Sequence, residues 1–206
     1  MESADQAKII SQTETASNQW LNLSVVEWVD ESGRRRQWEC ANRNHQQGAV
    51  MIIPLIEPQN ELVLVRQFRP PAHSYTIEFP AGLIDAGEDA ATAARRELYE
   101  ECGYEGEITS GGMAALSSPG LSGEEITPIM MKIDGVKYPN PVKNHPEETE
   151  HIEVFRVPMA DLGKFIIKMR QAGCKIDSKV YCFVLAQEFG KTTGKCNLYG
   201  SLNEKS

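Results

Sequence analysis

The spacing of apolar and polar residues changes several times along the chain, and each change marks a structural element. Short apolar or alternating runs bounded by turn residues predict strands at 21–29, 34–43, 49–56, 62–68, 75–79, 126–133 and 152–157. Apolar residues at helical spacing predict amphipathic helices at 159–171 and 178–189. Residues 1–18 are polar and poor in apolar side chains, which is typical of a disordered tail. Residues 138–150 contain three prolines and several acids, and therefore predict a long loop.

Strands interleaved with a few helices predict an α/β fold, in which helices cover both faces of a mixed sheet. The turn from Asp30 to Gly33 joins the first two strands as a hairpin near the N-terminus. We therefore divide the chain into a tail at 1–18, a β-hairpin domain at 19–46, the main domain at 47–190 and a polar tail at 191–206.

The most informative segment, GLIDAGEDAATAARRELYEECGY, spans residues 82–104. Its alanines favour a helix, and Gly103 is suited to a left-handed C-cap. Glu97, Glu100 and Glu101 stand at i, i+3 and i+4, so their carboxylates share one helix face. Like charges at such offsets repel each other by about 0.2–0.5 kcal/mol per pair, so stability alone does not favour this arrangement. A hard cation such as Mg²⁺ binds oxygen ligands, and the segment therefore predicts a metal site.

The other positions of this helix agree with that interpretation. An apolar stripe rotated away from the glutamates is predicted to pack into the core, and it consists of Ala91, Ala94, Leu98 and Cys102. Arg96 precedes Glu100 by four residues, so the two side chains can form an ion pair that offsets negative charge. Gly82 and Gly87 bracket a loop that can bring the backbone close to a ligand.

The segment also carries a family resemblance. The Nudix box has a glycine, Glu, Arg-Glu, Glu-Glu and a glycine at fixed spacing, and this chain matches it at Gly82, Glu88, Arg96, Glu97, Glu100, Glu101 and Gly103. Tyr104 departs from the pattern, because the family usually has an aliphatic residue there. The flanking FRPPAHSYTIEFPAGLID and SSPGLSGEEI, with Pro119, resemble the ADP-ribose pyrophosphatase subfamily. Residues 20–185 resemble its eukaryotic ADP-sugar enzymes, with the largest departure at 134–150.

The resemblance implies a Nudix α/β/α sandwich with a mixed sheet, plus a small N-terminal antiparallel β domain that pairs or swaps across a homodimer. It implies Mg²⁺, with Mn²⁺ as a substitute, bound by the Ala81 carbonyl and the carboxylates of Glu97, Glu100 and Glu101. The implied catalytic residues are Glu150, Glu101, Glu97 and Arg96, with Glu150 as the base that accepts a proton from water. Glu147 and Glu148 are alternative bases. Glu88 either supports the metal through water or compensates the charge of the helix N-terminus.

The resemblance extends to substrate binding. Trp20 and Trp38 resemble a pair that stacks on adenine, one from each subunit, and such stacking contributes about 1–3 kcal/mol per ring. Taken alone, either tryptophan is more typical of a core or an interface. The other implied substrate-binding residues are Arg43, Arg69 and Leu83, of which the arginines donate to phosphate or ribose oxygens.

The composition narrows the class of partner. A net charge of −8 argues against nucleic acid, whose phosphates attract basic surfaces. The sequence has no signal peptide and no run of eighteen apolar residues, so we expect no membrane partner. Five cysteines without CxxC spacing fit a reducing compartment, which predicts a cytoplasmic protein with the nucleus left open.

Together these features predict an enzyme that uses Mg²⁺ to hydrolyse the diphosphate of ADP-ribose and related ADP-sugars to AMP and a sugar phosphate. One alternative is a hydrolase of other nucleoside diphosphates, including oxidised nucleotides, because the motif does not determine the leaving group. A second alternative is a non-catalytic Nudix-fold module that only binds a nucleotide. The intact set of three glutamates favours an enzyme, since a binding module needs the pocket but not the metal.

Overall fold

The structure is a computed structural model that describes residues 6–44, 48–146 and 151–193. The chain forms two compact units, one made of 1–48 with 114–126 and the other of 49–113 with 127–206. The strands are β1 (Lys8–Ser17), β2 (Leu21–Val29), β3 (Arg35–Arg43), β4 (Ala49–Glu57), β5 (Glu61–Arg69), β6 (Ser74–Glu78), β7 (Ala81–Leu83), β8 (Glu107–Gly111), β9 (Ala115–Leu116), β10 (Glu125–Asp134), β11 (Glu153–Pro158) and β12 (Lys175–Ile176). The helices are α1 (Ala90–Cys102), α2 (Leu162–Gln171) and α3 (Ser178–Thr193).

The N-terminal unit is built on a three-stranded antiparallel sheet in the order β1-β2-β3. The predicted hairpin is confirmed, because β2 and β3 pair from Leu21↔Arg43 to Val29↔Arg35. Its turn is closed by the Asp30 carboxylate, which accepts hydrogen bonds from the backbone N–H groups of Ser32 and Arg34, both at 2.9 Å. This use of an Asp side chain is the local chemistry that favours Asp at turns.

The prediction of a disordered tail is wrong for residues 8–17, which form β1. This strand pairs antiparallel with β2 from Lys8↔Val29 to Ser17↔Asn22. Its side chains are exposed at every position except the partly covered Ser11. Because neither face of the strand is buried in this unit, its sequence lacks the alternation that marks a half-buried strand. Backbone hydrogen bonds to the edge of β2 hold it instead. Residues 1–5 of the predicted tail lie outside the described ranges.

Residues 114–126 belong to the N-terminal unit, although the sequence analysis assigned them to the main domain. The Leu121 carbonyl accepts a hydrogen bond from the backbone N–H of Ala41 in β3 at 3.0 Å. The Trp38 indole Nε1–H donates to the Gly120 carbonyl at 3.1 Å. A segment distant in sequence therefore lies along β3.

The second unit contains a mixed sheet in the order β12-β6-β5-β4-β10-β8, with β11 paired to β5 and β7 paired to β4. The β12–β6 pair is parallel, whereas β5 runs antiparallel to β4, β6 and β11. α1 packs against β4 and β7, α2 against β11, and α3 against β6. The predicted mixed α/β fold with a separate small antiparallel β unit is confirmed.

The core of the second unit lies between α1 and the middle of the sheet. It is made by fully buried side chains from central strands and from one face of the helix, including Val50, Ile52, Val63, Val65, Met131, Ala94 and Leu98. β4 and β5 read as near-continuous apolar runs because they lie inside the sheet. This core fixes α1 beside β7, where the candidate site is built.

The predicted strands at 49–56, 62–68, 75–79, 126–133 and 152–157 correspond to β4, β5, β6, β10 and β11. The helix predicted at 159–171 begins with a 3-10 turn at Met159–Asp161 and continues as α2. The helix predicted at 178–189 is α3, which extends to Thr193 and so into the predicted tail. Of the helices in the described ranges, none combines the length and the apolar character needed to cross a membrane.

Candidate active site

Local signals at both ends of α1 hold the helix that carries the candidate site. The Asp89 carboxylate accepts a hydrogen bond from the backbone N–H of Thr92 at 2.7 Å and caps the N-terminus. Gly103 has φ 76° and its N–H donates to the Tyr99 carbonyl at 2.8 Å, which confirms the predicted left-handed C-cap. The predicted apolar stripe is buried at Ala94, Leu98 and Cys102, and Ala93 joins it, whereas Ala91 is only half-buried.

Arg96 is the centre of the charged side of this helix. Its Nη1 lies 2.7 Å from Glu97 Oε1 and 3.1 Å from Glu100 Oε2, so the predicted Arg96–Glu100 ion pair is present. Its Nε and Nη2 donate to the two carboxylate oxygens of Glu88 at 3.1 and 2.9 Å. Nη2 also donates to the Leu83 carbonyl at 3.0 Å. One guanidinium thus joins three motif carboxylates to the end of β7.

This contact set shifts the ionisation of both partners. Hydrogen bonds accepted by Glu88, and then by Glu97 and Glu100, raise the pKa of Arg96 above its usual range. Hydrogen bonds donated by Arg96 hold the pKa of the Glu88 carboxyl below its usual value, and the backbone N–H of Asp85 acts in the same direction. Glu88 is therefore ionised at neutral pH, and in this structure it accepts hydrogen bonds from Arg96 and from the Asp85 N–H.

The carboxylates of Glu97 and Glu101 each approach the backbone of β7. Glu101 is only 3% exposed, and its Oε2 accepts a hydrogen bond from the Ala81 N–H at 3.1 Å. A Cβ placed on Gly82 would overlap the Glu97 carboxylate, so only glycine permits this approach. Ala81, Gly82, Glu97 and Glu101 therefore lie close together in this structure.

The donor set suits a hard divalent cation, because it consists of carboxylate and main-chain oxygens. Within the described ranges, however, no three His, Cys, Asp or Glu side chains are already gathered around one point that could hold a metal. Glu97 and Glu100 lean toward Arg96, and Glu101 turns toward the Ala81 N–H. The residues thus fit a metal in their donor chemistry, and in this structure their carboxylates contact Arg96 and the Ala81 N–H.

Gly82→Ala is expected to weaken Mn²⁺ binding about tenfold while leaving the fold intact, because the added methyl displaces Glu97. The displaced group is the end of a flexible side chain, so the backbone need not move. Calorimetric titration with Mn²⁺ measures the effect. Gly163→Ala is the matched control, since a Cβ there meets nothing within 4 Å. Unchanged Mn²⁺ affinity in Gly82→Ala would show that Glu97 is not a ligand.

The two candidate adenine-stacking residues are both on the surface of the N-terminal unit. Trp20 is 70% exposed and Trp38 is 53% exposed, which argues against a core role within this unit. The Trp38 ring is oriented by its hydrogen bond to Gly120. The Trp20 carbonyl accepts from the Asn44 N–H at 3.0 Å, which places Trp20 beside the end of β3. Ring surface is therefore available for stacking or for an interface.

Both candidate substrate arginines have carboxylate partners that sequence reasoning missed. Arg43 Nε lies 2.7 Å from Glu124 Oε1 within the N-terminal unit. In the second unit, Arg69 donates to both oxygens of Glu78, at 2.9 Å from Nε and 2.7 Å from Nη2. The Thr76 hydroxyl also donates to Glu78. Only the tertiary structure reveals these partners, because the Arg43–Glu124 pair is 81 residues apart and the Arg69–Glu78 pair bridges β5 and β6.

Of the remaining candidates, one lies in the part of the chain that the structure describes and three lie outside it. Leu83 is 44% exposed at the end of β7, and its carbonyl accepts a hydrogen bond from Arg96. The candidate base Glu150 and its alternatives Glu147 and Glu148 lie outside the described residues, so their assignment stays a prediction.

Comparison with known proteins identifies the family. The NUDIX domain family matches residues 45–177. The chain is 34% identical to the ADP-ribose pyrophosphatase of Saccharomyces cerevisiae over 189 residues, covering 85% of this chain and 81% of the yeast protein. It is 33% identical to the ADP-sugar pyrophosphatase of Mus musculus over 190 residues, covering 86% of each. The crystal structure of an ADP compounds hydrolase shares the fold, with a TM-score of 0.67, 23% identity, and coverage of 93% of this chain and 97% of that one. The family match covers more than half of the chain, and the yeast and mouse relatives match most of it. These findings show that this protein belongs to the Nudix hydrolases.

Proposed function

We propose that this protein is a Mg²⁺-dependent diphosphatase that hydrolyses ADP-ribose and related ADP-sugars to AMP and a sugar phosphate. The observation that carries the proposal is the placement of Glu97 and Glu101 against the backbone of β7, with Glu100 on the same helix face. The substrate class is supported by the yeast and mouse relatives, which are named for ADP-ribose and ADP-sugars.

The carboxylates of Glu97, Glu100 and Glu101 and the Ala81 carbonyl would hold the metal, with Mn²⁺ able to replace Mg²⁺. The bound ion would neutralise diphosphate charge and lower the pKa of a coordinated water. Arg96 offsets the negative charge of Glu97 and Glu100 in this structure, and both carboxylates would turn from Arg96 to the metal when it binds. The proton lost by the attacking water goes to a carboxylate outside this set, for which we propose Glu150, with Glu147 and Glu148 as alternatives.

We further propose a homodimer formed through the N-terminal unit, with Trp20 of one subunit and Trp38 of the other stacking on adenine. Several large apolar side chains of this unit are about half or more exposed, namely Ile9, Ile10, Leu21, Leu23, Trp20 and Trp38. Covering these side chains in a homodimer would remove apolar surface from water, which supports an interface here. Arg43, Arg69 and Leu83 are the other proposed substrate contacts, and substrate oxygens would compete with Glu124 and Glu78 for the arginines.

Trp38→Ala is expected to raise the KM for ADP-ribose about tenfold with little change in kcat, because one stacking ring is lost while the metal site is intact. Trp38→Phe is the matched control: it keeps a smaller aromatic face and removes the hydrogen bond to Gly120. Steady-state kinetics measure both variants, and sedimentation should report a stable wild-type dimer. A fully active monomer would contradict the proposed cross-subunit arrangement.

A substrate panel decides among the alternatives. Assays with Mg²⁺ and ADP-ribose, ADP-mannose, ADP-glucose and 8-oxo-dGDP should give the highest kcat/KM for an ADP-sugar. A preference for the oxidised nucleotide would support the alternative hydrolase. Tight ADP-ribose binding with no turnover of any substrate would support the binding module instead.

We also propose that the protein acts in the cytoplasm, with the nucleus left open, and binds neither nucleic acid nor membranes. The four cysteines in the described ranges are free thiols, namely Cys40, Cys102, Cys174 and Cys182, which supports a reducing compartment. The net charge of −8 supports the absence of a nucleic-acid partner.

A further inference from the structure

The last turn of α1 is completed by hydrogen bonds from a distant part of the chain. The final carbonyls of a helix have no partner within the helix and need donors from elsewhere. The Gly103 N–H donates to the Tyr99 carbonyl, as described above. The next two carbonyls accept hydrogen bonds from the loop that follows β10. The His145 N–H donates to the Glu100 carbonyl at 2.7 Å, and Asn144 Nδ2 donates to the Glu101 carbonyl at 3.0 Å.

The Asn144 side chain makes a second hydrogen bond in the same place. Its Nδ2 also donates to the Ile152 carbonyl at 3.0 Å. Both partners are carbonyl oxygens, which only accept, so the amide nitrogen must face them and the orientation of the amide is unambiguous. One half-buried amide group therefore joins the helix end to the beginning of the chain segment that leads into β11.

Packing around Asn144 keeps the loop against the helix. The His145 ring stacks on Tyr99, with ring centroids 5.0 Å apart and planes at 17°. On the other side, a Cβ on Gly103 would overlap the Lys143 carbonyl, so the loop approaches closer than any other residue would allow. The contact thus involves the backbone on both sides and is not a loose surface association.

We infer that Asn144 is a positioning residue for the metal site, an inference that rests on the proposed function. The carbonyls that Asn144 and His145 cap belong to Glu101 and Glu100, the two residues whose carboxylates are proposed ligands. Helix ends fray when their carbonyls lack partners, and a frayed turn would move both carboxylates away from Glu97. The Asn144 amide holds this turn helical and thereby keeps the three carboxylates in register.

The test measures Mn²⁺ binding to Asn144→Ala and Asn144→Asp in the absence of substrate. Electron paramagnetic resonance is the method of measurement. Both variants should bind Mn²⁺ about tenfold more weakly than wild type, as is usual when a group that orients ligands is removed. The Asp variant is the sharper of the two. Its added negative charge would by itself strengthen cation binding, whereas an ionised carboxylate cannot donate to the two carbonyls.

Asn140→Ala and Asn140→Asp provide matched controls, because Asn140 lies exposed in the same loop. Both should keep wild-type Mn²⁺ affinity. Hydrogen exchange of the metal-free protein gives a second readout: the amides of the last turn of α1 should exchange faster in the Asn144 variants only. Thermal unfolding verifies that each variant is folded.

The outcomes separate this inference from the proposed function. If the Asn144 variants bind Mn²⁺ like wild type while Glu101→Gln does not bind it, the metal site stands and the role of Asn144 is refuted. If wild type itself binds no Mn²⁺, the metal site is refuted and this inference with it. Weaker binding in both Asn144 variants but not in the Asn140 variants supports the inference.

Discussion

Replacing Glu101 by glutamine is expected to lower kcat for ADP-ribose on the order of a hundredfold or more. The carboxylate of Glu101 is almost fully buried at the backbone of β7, and we propose it as a charged metal ligand. Glutamine keeps the size and an oxygen that can accept from the Ala81 N–H, but it removes the charge. The loss should therefore appear in turnover and in the Mg²⁺ concentration needed for half-maximal rate.

The same substitution should not destabilise the fold. Burying a neutral amide is less costly than burying a carboxylate, so the Tm should be equal to or above that of wild type. Glu107→Gln is the control, because Glu107 is exposed at the start of β8. A folded Glu101→Gln protein with wild-type kcat at limiting Mg²⁺ would refute the metal-site assignment.

Replacing Glu150 by glutamine is expected to lower kcat about a hundredfold with little change in KM, the effect of removing a general base. The structure supports looking outside the Nudix motif, because the motif carboxylates already have partners. Glu88, Glu97 and Glu100 bind Arg96, and Glu101 accepts from Ala81. A group so engaged is poorly placed to accept a proton from water as well.

The pH–rate profile tests this assignment separately from the size of the effect. A carboxylate base must be ionised to work, so wild-type kcat should fall as the pH drops through the pKa of the base. The Glu150→Gln variant should lose this acidic limb, whereas Glu147→Gln and Glu148→Gln should keep it. Loss of the acidic limb in Glu148→Gln would instead assign the base to Glu148, two residues before Glu150. Small and equal effects in all three would place the base within α1.

The features whose cause is local could be predicted from the residues alone. The helical period placed Glu97, Glu100 and Glu101 on one face and Leu98 on another, because side-chain direction in a helix follows from residue spacing alone. The C-cap at Gly103 and the turn at Asp30 were predictable for a similar reason, since each depends on the conformational preference of one residue. The central strands were visible because they are buried as continuous apolar runs.

Which distant groups meet could be seen only in the folded protein. β1 is exposed on both faces and carries no pattern, so only its pairing with β2 identifies it as a strand. Arg69 meets Glu78 across two paired strands. Loop placement brings Glu124 to Arg43 and Gly120 to Trp38. Asn144 lies 43 residues from the helix end that it caps. Such contacts depend on how remote segments pack, and residue spacing within one element carries no information about them.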